Sequence, residues 1–258
     1  MSDEDISIHE KRVYADKSAT TTALVASSVG VTEVKISDDI VGEFSLAHRC
    51  QARDVATGNG RAAVATEADV LVGVDGEFVD TGFGPASAVG YGDGLVAAGG
   101  GRIARYDGDD WEQLSTVENV RAIDGDFAAA AGGVYRLDGT HVGLDDAYDV
   151  VGGAEPLAAT GSGLYYLANG WMEAADGSFH AVAGGSSTAA HAVGDGTLFE
   201  QNEEWTAVEL PTEESVVDVA HGDGAYAVTE TGTVLATVGD GWRHRALGLP
   251  DVSGLAVL

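Results

Sequence analysis

Residues 225 to 247 read AYAVTETGTVLATVGDGWRHRAL: an apolar run, a polar turn, the run GTVLAT, a GDG turn, then an aromatic residue opening a further run. The same order returns as AHAVGDGTLFEQNEEWTAVEL (190 to 210) and PLAATGSGLYYLANGWMEAA (156 to 175). It returns again as FAAAAGGVYRLDGTHVGL (127 to 144) and LVAAGGGRIARYDGDDWEQL (95 to 114). Two looser copies are AAVATEADVLVGVDGEFVDTG (62 to 82) and ALVASSVGVTEVKISDDIVGEFSL (23 to 46). The runs have the length of strands and lack the 3.6-residue periodicity of a sizeable helix. Asp75-Gly76, Asp107-Gly108, Asp138-Gly139, Asn169-Gly170 and Asp240-Gly241 suit the positive-φ turns that join antiparallel strands.

Six copies are preceded by one more short strand: RDVAT at 53, SAVGY at 87, RAIDG at 121, DVVGG at 149, HAVAG at 180 and VDVAH at 217. The first copy has none. The seventh such strand is SGLAV at 253, inside the apolar stretch DVSGLAVL. Third strands start at Val31, Val70, Arg102, Val134, Leu164, Thr197 and Thr233, with spacings of 39, 32, 32, 30, 33 and 36 residues. Seven near-equal units of four strands predict an all-β, seven-bladed β-propeller of antiparallel blades. The strand at 253 then completes the N-terminal blade and closes the ring, removing two unpaired edges. The expected organisation is an N-terminal extension over residues 1–20 and a propeller over 21–258.

Composition fits stacked blades. The chain is 45% hydrophobic, rich in Ala and Val, with 37 Gly and only 4 Pro. Sheets that bury both faces against neighbours need small side chains and need not alternate. Charge adds a second inference: 42 Asp and Glu face 13 Lys and Arg, only three of them Lys, for a net charge of −29. Acids spread over every turn suggest the surface of an extreme halophile, where molar salt screens their repulsion. No basic cluster is present to neutralise phosphates, so nucleic acid is not an expected partner. No 18-residue apolar stretch suggests a membrane span, and MSDEDISIHEKR lacks the features of a signal peptide. A cytoplasmic monomer is expected. The single Cys50 excludes an internal disulfide and a multi-cysteine zinc site.

The copies GGVYRLDG (132 to 139) and AVGDGTLFEQNEEW (192 to 205) resemble the blades of regulator-type and photosystem-assembly-type propellers. GGGRIARYDGDDWEQL (99 to 114) resembles a kelch blade, although the period is shorter than that of kelch. No Trp-Asp pair closes a third strand as in WD40 repeats. Taken whole, the chain is similar to haloarchaeal β-propeller proteins. That resemblance implies fold and type of organism, and implies no reaction.

Chemistry is sparse. The turns lack the Ser and Thr of the sialidase box, and DGDDWE is too short for a calcium loop. Asp54, Asp149 and Asp218 lie in innermost strands, but with the first and last one residue out of phase with Asp149 they are not expected to form one ligand set. Neither a metal nor a cofactor is expected. The candidate site is the channel mouth, where the innermost strands begin. Two residues before the central apolar position, the copies carry Arg53, Ser87, Arg121, Asp149, His180, Val217 and Ser253. Arg53, Arg121, Asp149 and His180, with Arg49 and Tyr148 from nearby loops, are read as a charged cluster for an anion or a partner's carboxylate. The competing reading pairs Arg53 and Arg121 with Asp54 or Asp149 as a purely structural rim. Trp111, Trp171, Trp205 and Trp242 recur at equivalent places, which argues for packing. WRHRAL (242 to 247) reads as an edge-blunting charge pattern, and Cys50 as incidental. The expectation is a non-catalytic scaffold that binds another protein on this face. A ligand-binding or hydrolytic propeller is the alternative.

Overall fold

The computed structural model describes residues 20–184, 189–237 and 241–258. The expected extension thus lies outside the described residues up to Thr20, which opens the first strand. Blade 1 contains β1 (Thr20–Ser27), β2 (Gly30–Ser37) and β3 (Ile40–His48). Blade 2 contains β4 (Ala52–Gly58), β5 (Arg61–Thr66), β6 (Val70–Val74) and β7 (Glu77–Asp80). Blade 3 contains β8 (Ala88–Gly92), β9 (Gly94–Gly99), β10 (Arg102–Tyr106) and β11 (Trp111–Thr116). Blade 4 contains β12 (Val120–Asp124), β13 (Phe127–Ala130), β14 (Gly133–Arg136) and β15 (His141–Gly143). Blade 5 contains β16 (Ala147–Val151), β17 (Leu157–Thr160), β18 (Gly163–Leu167) and β19 (Trp171–Asp176). Blade 6 contains β20 (Phe179–Ala183), β21 (His191–Gly194), β22 (Thr197–Gln201) and β23 (Trp205–Ala207). Blade 7 contains β24 (Val216–His221), β25 (Ala225–Thr229), β26 (Thr233–Thr237) and β27 (Arg243–Ala246), and β28 (Val252–Val257) returns to blade 1.

The seven sheets are four-stranded and antiparallel, and blade 1 has the order β28-β1-β2-β3. This is the predicted seven-bladed propeller with its predicted closure. The third strands begin at the expected residues or one residue earlier, as at Gly30, Gly133 and Gly163. Closure runs from Ala23 opposite Val257 to Ser27 opposite Val252, and the Leu258 amide donates to the Thr22 carbonyl at 2.9 Å. Leu255 and Ala256 are buried, which explains the apolar character of DVSGLAVL.

Each seam between adjacent blades holds its own apolar cluster among the described residues. In the seam between blades 3 and 4, Val96, Ile103, Val120, Ile123 and Ala128 pack together. Here the small residues are a steric requirement. A Cβ on Gly90 would lie 2.1 Å from the Ile123 carbonyl oxygen, so β8 and β12 approach as only glycine permits. Among the described residues no helix is long and apolar enough to cross a membrane.

Candidate functional site

The innermost strands share one irregularity near their beginnings. Their pairing skips a residue between Ala52 and Asp54, Val120 and Ala122, Ala147 and Asp149, Phe179 and Ala181, and Val216 and Asp218. In β28 the skip falls between Val252 and Gly254. Such a bulge turns the extra residue out of the ladder and re-aims its side chain. The bulged residues are therefore Arg53, Arg121, Tyr148, His180, Val217 and Ser253. Ser87 stands in the same place ahead of β8, its amide donating to Ala98.

The expected equivalence of Asp149 with the two arginines does not hold. Tyr148 is the bulged residue of blade 5, and Val150, 2% exposed, is the residue that packs into the seam. Aligning on Val151 displaced the strand by one position. In the corrected register Asp54, Asp149 and Asp218 are in phase, each just past its bulge, against the expectation that they are not.

Bulged residues and aspartates together link the blades. Ser253 donates to the Ala52 carbonyl at 3.2 Å, Arg53 to Ala86 at 3.4 Å, Ser87 to Val120 at 2.8 Å and Arg121 to Ala147 at 3.0 Å. His180 hydrogen-bonds the Val216 backbone. Each bond reaches the residue before the next blade's bulge. The aspartates reach forward in the same way. One carboxylate oxygen accepts from the following amide, and the other accepts from the next blade at 2.7 to 2.8 Å: Asp54 from Val89, Asp149 from Val182, Asp218 from Leu255. Asp124 adds a bond from the Gly152 amide at 2.7 Å. All seven seams thus carry at least one side-chain bond, and the seam closed by β28 depends on Asp218.

Around the channel these aspartates are hemmed in by protein. Burial pushes Asp54 and Asp218 up to about 7, and burial with the charge of Asp218 pushes Asp149 up to about 8. The backbone amides pull the other way and are outweighed. Among the described residues no three His, Cys, Asp or Glu side chains form a group suited to a metal ion.

A cavity of about 570 Å³ opens where β4, β8 and β12 begin. Arg53 and Arg121 line it from either side of Ser87, with the Gly99-Gly100-Gly101 turn, Glu118 and Asn119. Arg121 pairs with Asp146 at 2.8 Å and its guanidinium stacks 4.2 Å above Tyr148. Each arginine has five N–H groups, so a single backbone carbonyl for Arg53 leaves donors to spare. Of the six residues singled out from sequence, Arg53 and Arg121 share this cavity and Tyr148 supports Arg121. Asp149 is at the channel and His180 is half-buried in a seam, where burial lowers its pKa. Arg49 is exposed in the loop before β4 and is not among the cavity-lining residues. The acid that pairs with Arg121 is Asp146, neither Asp54 nor Asp149.

Sequence reasoning missed Glu118, Asp146 and the aspartate bridges. A Val after Asp54, Asp149 and Asp218 was a usable signal, since a shared Asp-Val dipeptide aligns the three strands. It also missed His191 of β21, only 4% exposed, whose Nδ1 lies 2.9 Å from His221 Nε2 at the opposite strand ends. His191 occupies the place held by Phe127 and Leu157 in other blades and packs edge-on to Trp242. Burial pushes the Cys50 thiol up, the reverse of what an activated thiolate needs. In WRHRAL, Arg243 pairs with Asp39, while Arg245 donates to the Gly42 carbonyl and stacks on Phe44. Both tie the outer strands β27 and β3 together.

Solved structures agree in fold. The WD40 β-propeller domain of Doa1 is similar with a TM-score of 0.62 and 13% identity, covering 90% of this chain and 89% of that one. YCF48 bound to a D1 peptide gives 0.57 and 13%, covering 76% and 82%. Apo AztD from Citrobacter koseri gives 0.55 and 12%, covering 90% and 84%. Identities this low carry the fold alone. No match is found among curated proteins. The HVO_0234-like beta-propeller family model matches residues 7–258, nearly the whole chain, and the chain belongs to that family.

Proposed function

We propose that this propeller is a non-catalytic scaffold that holds an acidic segment of another protein in the cavity between Arg53 and Arg121. The carrying observation is that two of its few basic residues, from blades 2 and 4, line one cavity of about 570 Å³ with guanidinium donors to spare. In a chain of net charge −29, two arginines lining one concave site offer an acidic group charge-assisted donors there. YCF48, a propeller of similar fold, has been solved with a bound peptide, which supports the type of partner. The acidic surface supports a halophilic cytosol as its setting, and the closed ring supports a monomer. Neither nucleic acid nor membrane is a proposed partner, and no cofactor is invoked. The cavity volume also suits a small anionic ligand, the second reading.

The test is a pull-down in molar KCl with wild type and the Arg53→Ala/Arg121→Ala variant, followed by mass spectrometry. A stoichiometric protein recovered by wild type and lost by the variant supports the scaffold. A partner retained by the variant overturns the assignment to this cavity, and a small anion lost by the variant favours the second reading. The variant should fold. Asp54 and Asp124 also bridge the seams that the two arginines join, and the exposed pair with Asp146 contributes at most about 1 kcal/mol.

A further inference from the structure

Glu118 is an acid placed where an anion site would not be expected to have one. It lines the same cavity as Arg53 and Arg121, yet among the described residues it forms no ion pair with either. Its carboxylate is seated over the glycine turn: a Cβ on Gly101 would lie 2.5 Å from Oε1 and 3.1 Å from Oε2. Gly101, with φ of +77°, thus provides the place the carboxylate occupies. The loop that carries Glu118 is anchored on both sides, by buried Val117 and by the Asn119 carbonyl, which accepts from Ala131 at 3.2 Å.

Charge in the cavity is therefore balanced. Arg53 and Arg121 line the cavity together with Glu118, and Arg121 is already bonded to the carboxylate of Asp146, which is not among the lining residues. A dianion such as phosphate would meet donors on one side and an unpaired carboxylate on the other. A peptide meets the same cavity differently, since its acidic side chain accepts from the arginines while its backbone N–H donates to Glu118. We propose that Glu118 is the specificity-determining residue of this cavity, selecting a single carboxylate flanked by N–H donors, as in an acidic peptide segment, and rejecting phosphate. This rests on the reading of the cavity as a partner site.

The probes are acetyl-Ala-Asp-Ala-amide and inorganic phosphate, titrated at pH 7.5 into 15N-labelled protein at the lowest KCl that keeps it folded. Shifts of the arginine Nε–H signals report binding. Wild type should bind the peptide more tightly than phosphate. Glu118→Gln, at an exposed position with no side-chain ion pair to lose among the described residues, should tighten phosphate about fivefold, as expected for removing one like charge across a small cavity, and should narrow the preference for the peptide, whose N–H then meets a neutral amide oxygen. Equal phosphate binding by wild type and Glu118→Gln overturns the role of Glu118 while leaving the anion site standing. Failure of both probes to shift either arginine in either protein overturns the partner-site reading itself.

Discussion

Replacing Asp149 by Asn should flatten the pH dependence of stability. The carboxylate accepts from Val150 and Val182, both at 2.8 Å, yet burial and the neighbouring Asp218 charge raise its pKa from 3.8 to about 8. The sign follows from proton counts. Between the ordinary Asp range and about 8, the native state keeps a proton that the unfolded chain has released, so stability falls as pH rises. One such group contributes up to about 1.4 kcal/mol per pH unit, and about 1 kcal/mol per unit between pH 6.5 and 7.5, where Asp149 begins to ionise. Asp54 and Asp218, raised to about 7, act in the same direction. The buried histidines act oppositely: His180, His191 and His221 have lowered pKa values, so their contribution is lost as pH falls below the ordinary His range. At pH 6.5 an unfolded histidine is still about half protonated, so the three together offset up to about 1 kcal/mol across the window, less than the three aspartates contribute, and they cancel when the two proteins are compared. Denaturant titrations at 25 °C in constant molar KCl should show wild type losing stability from pH 6.5 to 7.5. Asp149→Asn should lose about 1 kcal/mol per unit less. The Asn amide also opposes one backbone N–H, so absolute stability falls and the slope is the readout. Parallel slopes, or a wild type that gains stability across this window, would refute the reasoning.

Two further outcomes follow from the ring and its charge. Deleting Val252 to Leu258 removes five paired positions of β28, the buried Leu255 and the donor side of the Asp218 bridge, and should leave an open, aggregation-prone sheet; an unchanged melting temperature and monomeric elution would contradict closure. With −29 formal charges, the melting temperature should climb steeply from low salt toward molar KCl, and a flat profile would remove the argument for a salt-adapted surface.

The architecture was legible because each blade repeats the same cue, a glycine-bearing turn between apolar runs, often followed by a Trp at the head of the outer strand. Trp111, Trp171 and Trp205 do open β11, β19 and β23, and Trp242 immediately precedes β27. The placement of Arg53 and Arg121 was legible for the same reason. Asp149 was not, because a bulge adds one residue without changing the apolar pattern, and DVVGG offers two valines as the anchor. Glu118 was hidden for a different reason. It comes from a connection between blades, and loops carry no period from which position can be read. The His191–His221 contact joins positions 30 residues apart whose neighbours in other blades are not histidines, so no repeat announces it.

The ring joins β1 to a strand made long after it. Ser28 and Asp251, hydrogen-bonded across the β1–β28 junction, are separated by 223 residues. At about 5–20 residues per second of synthesis, roughly 10–45 s pass between translation of the two sides. Throughout that interval the inner edge of β1, with Leu24 and Val25 destined for burial, has no native partner. Completed blades can already stack on one another, but the first blade stays a three-stranded sheet whose free edge must be kept from pairing with a neighbouring nascent chain. Escape from that hazard is the step that the final apolar segment decides.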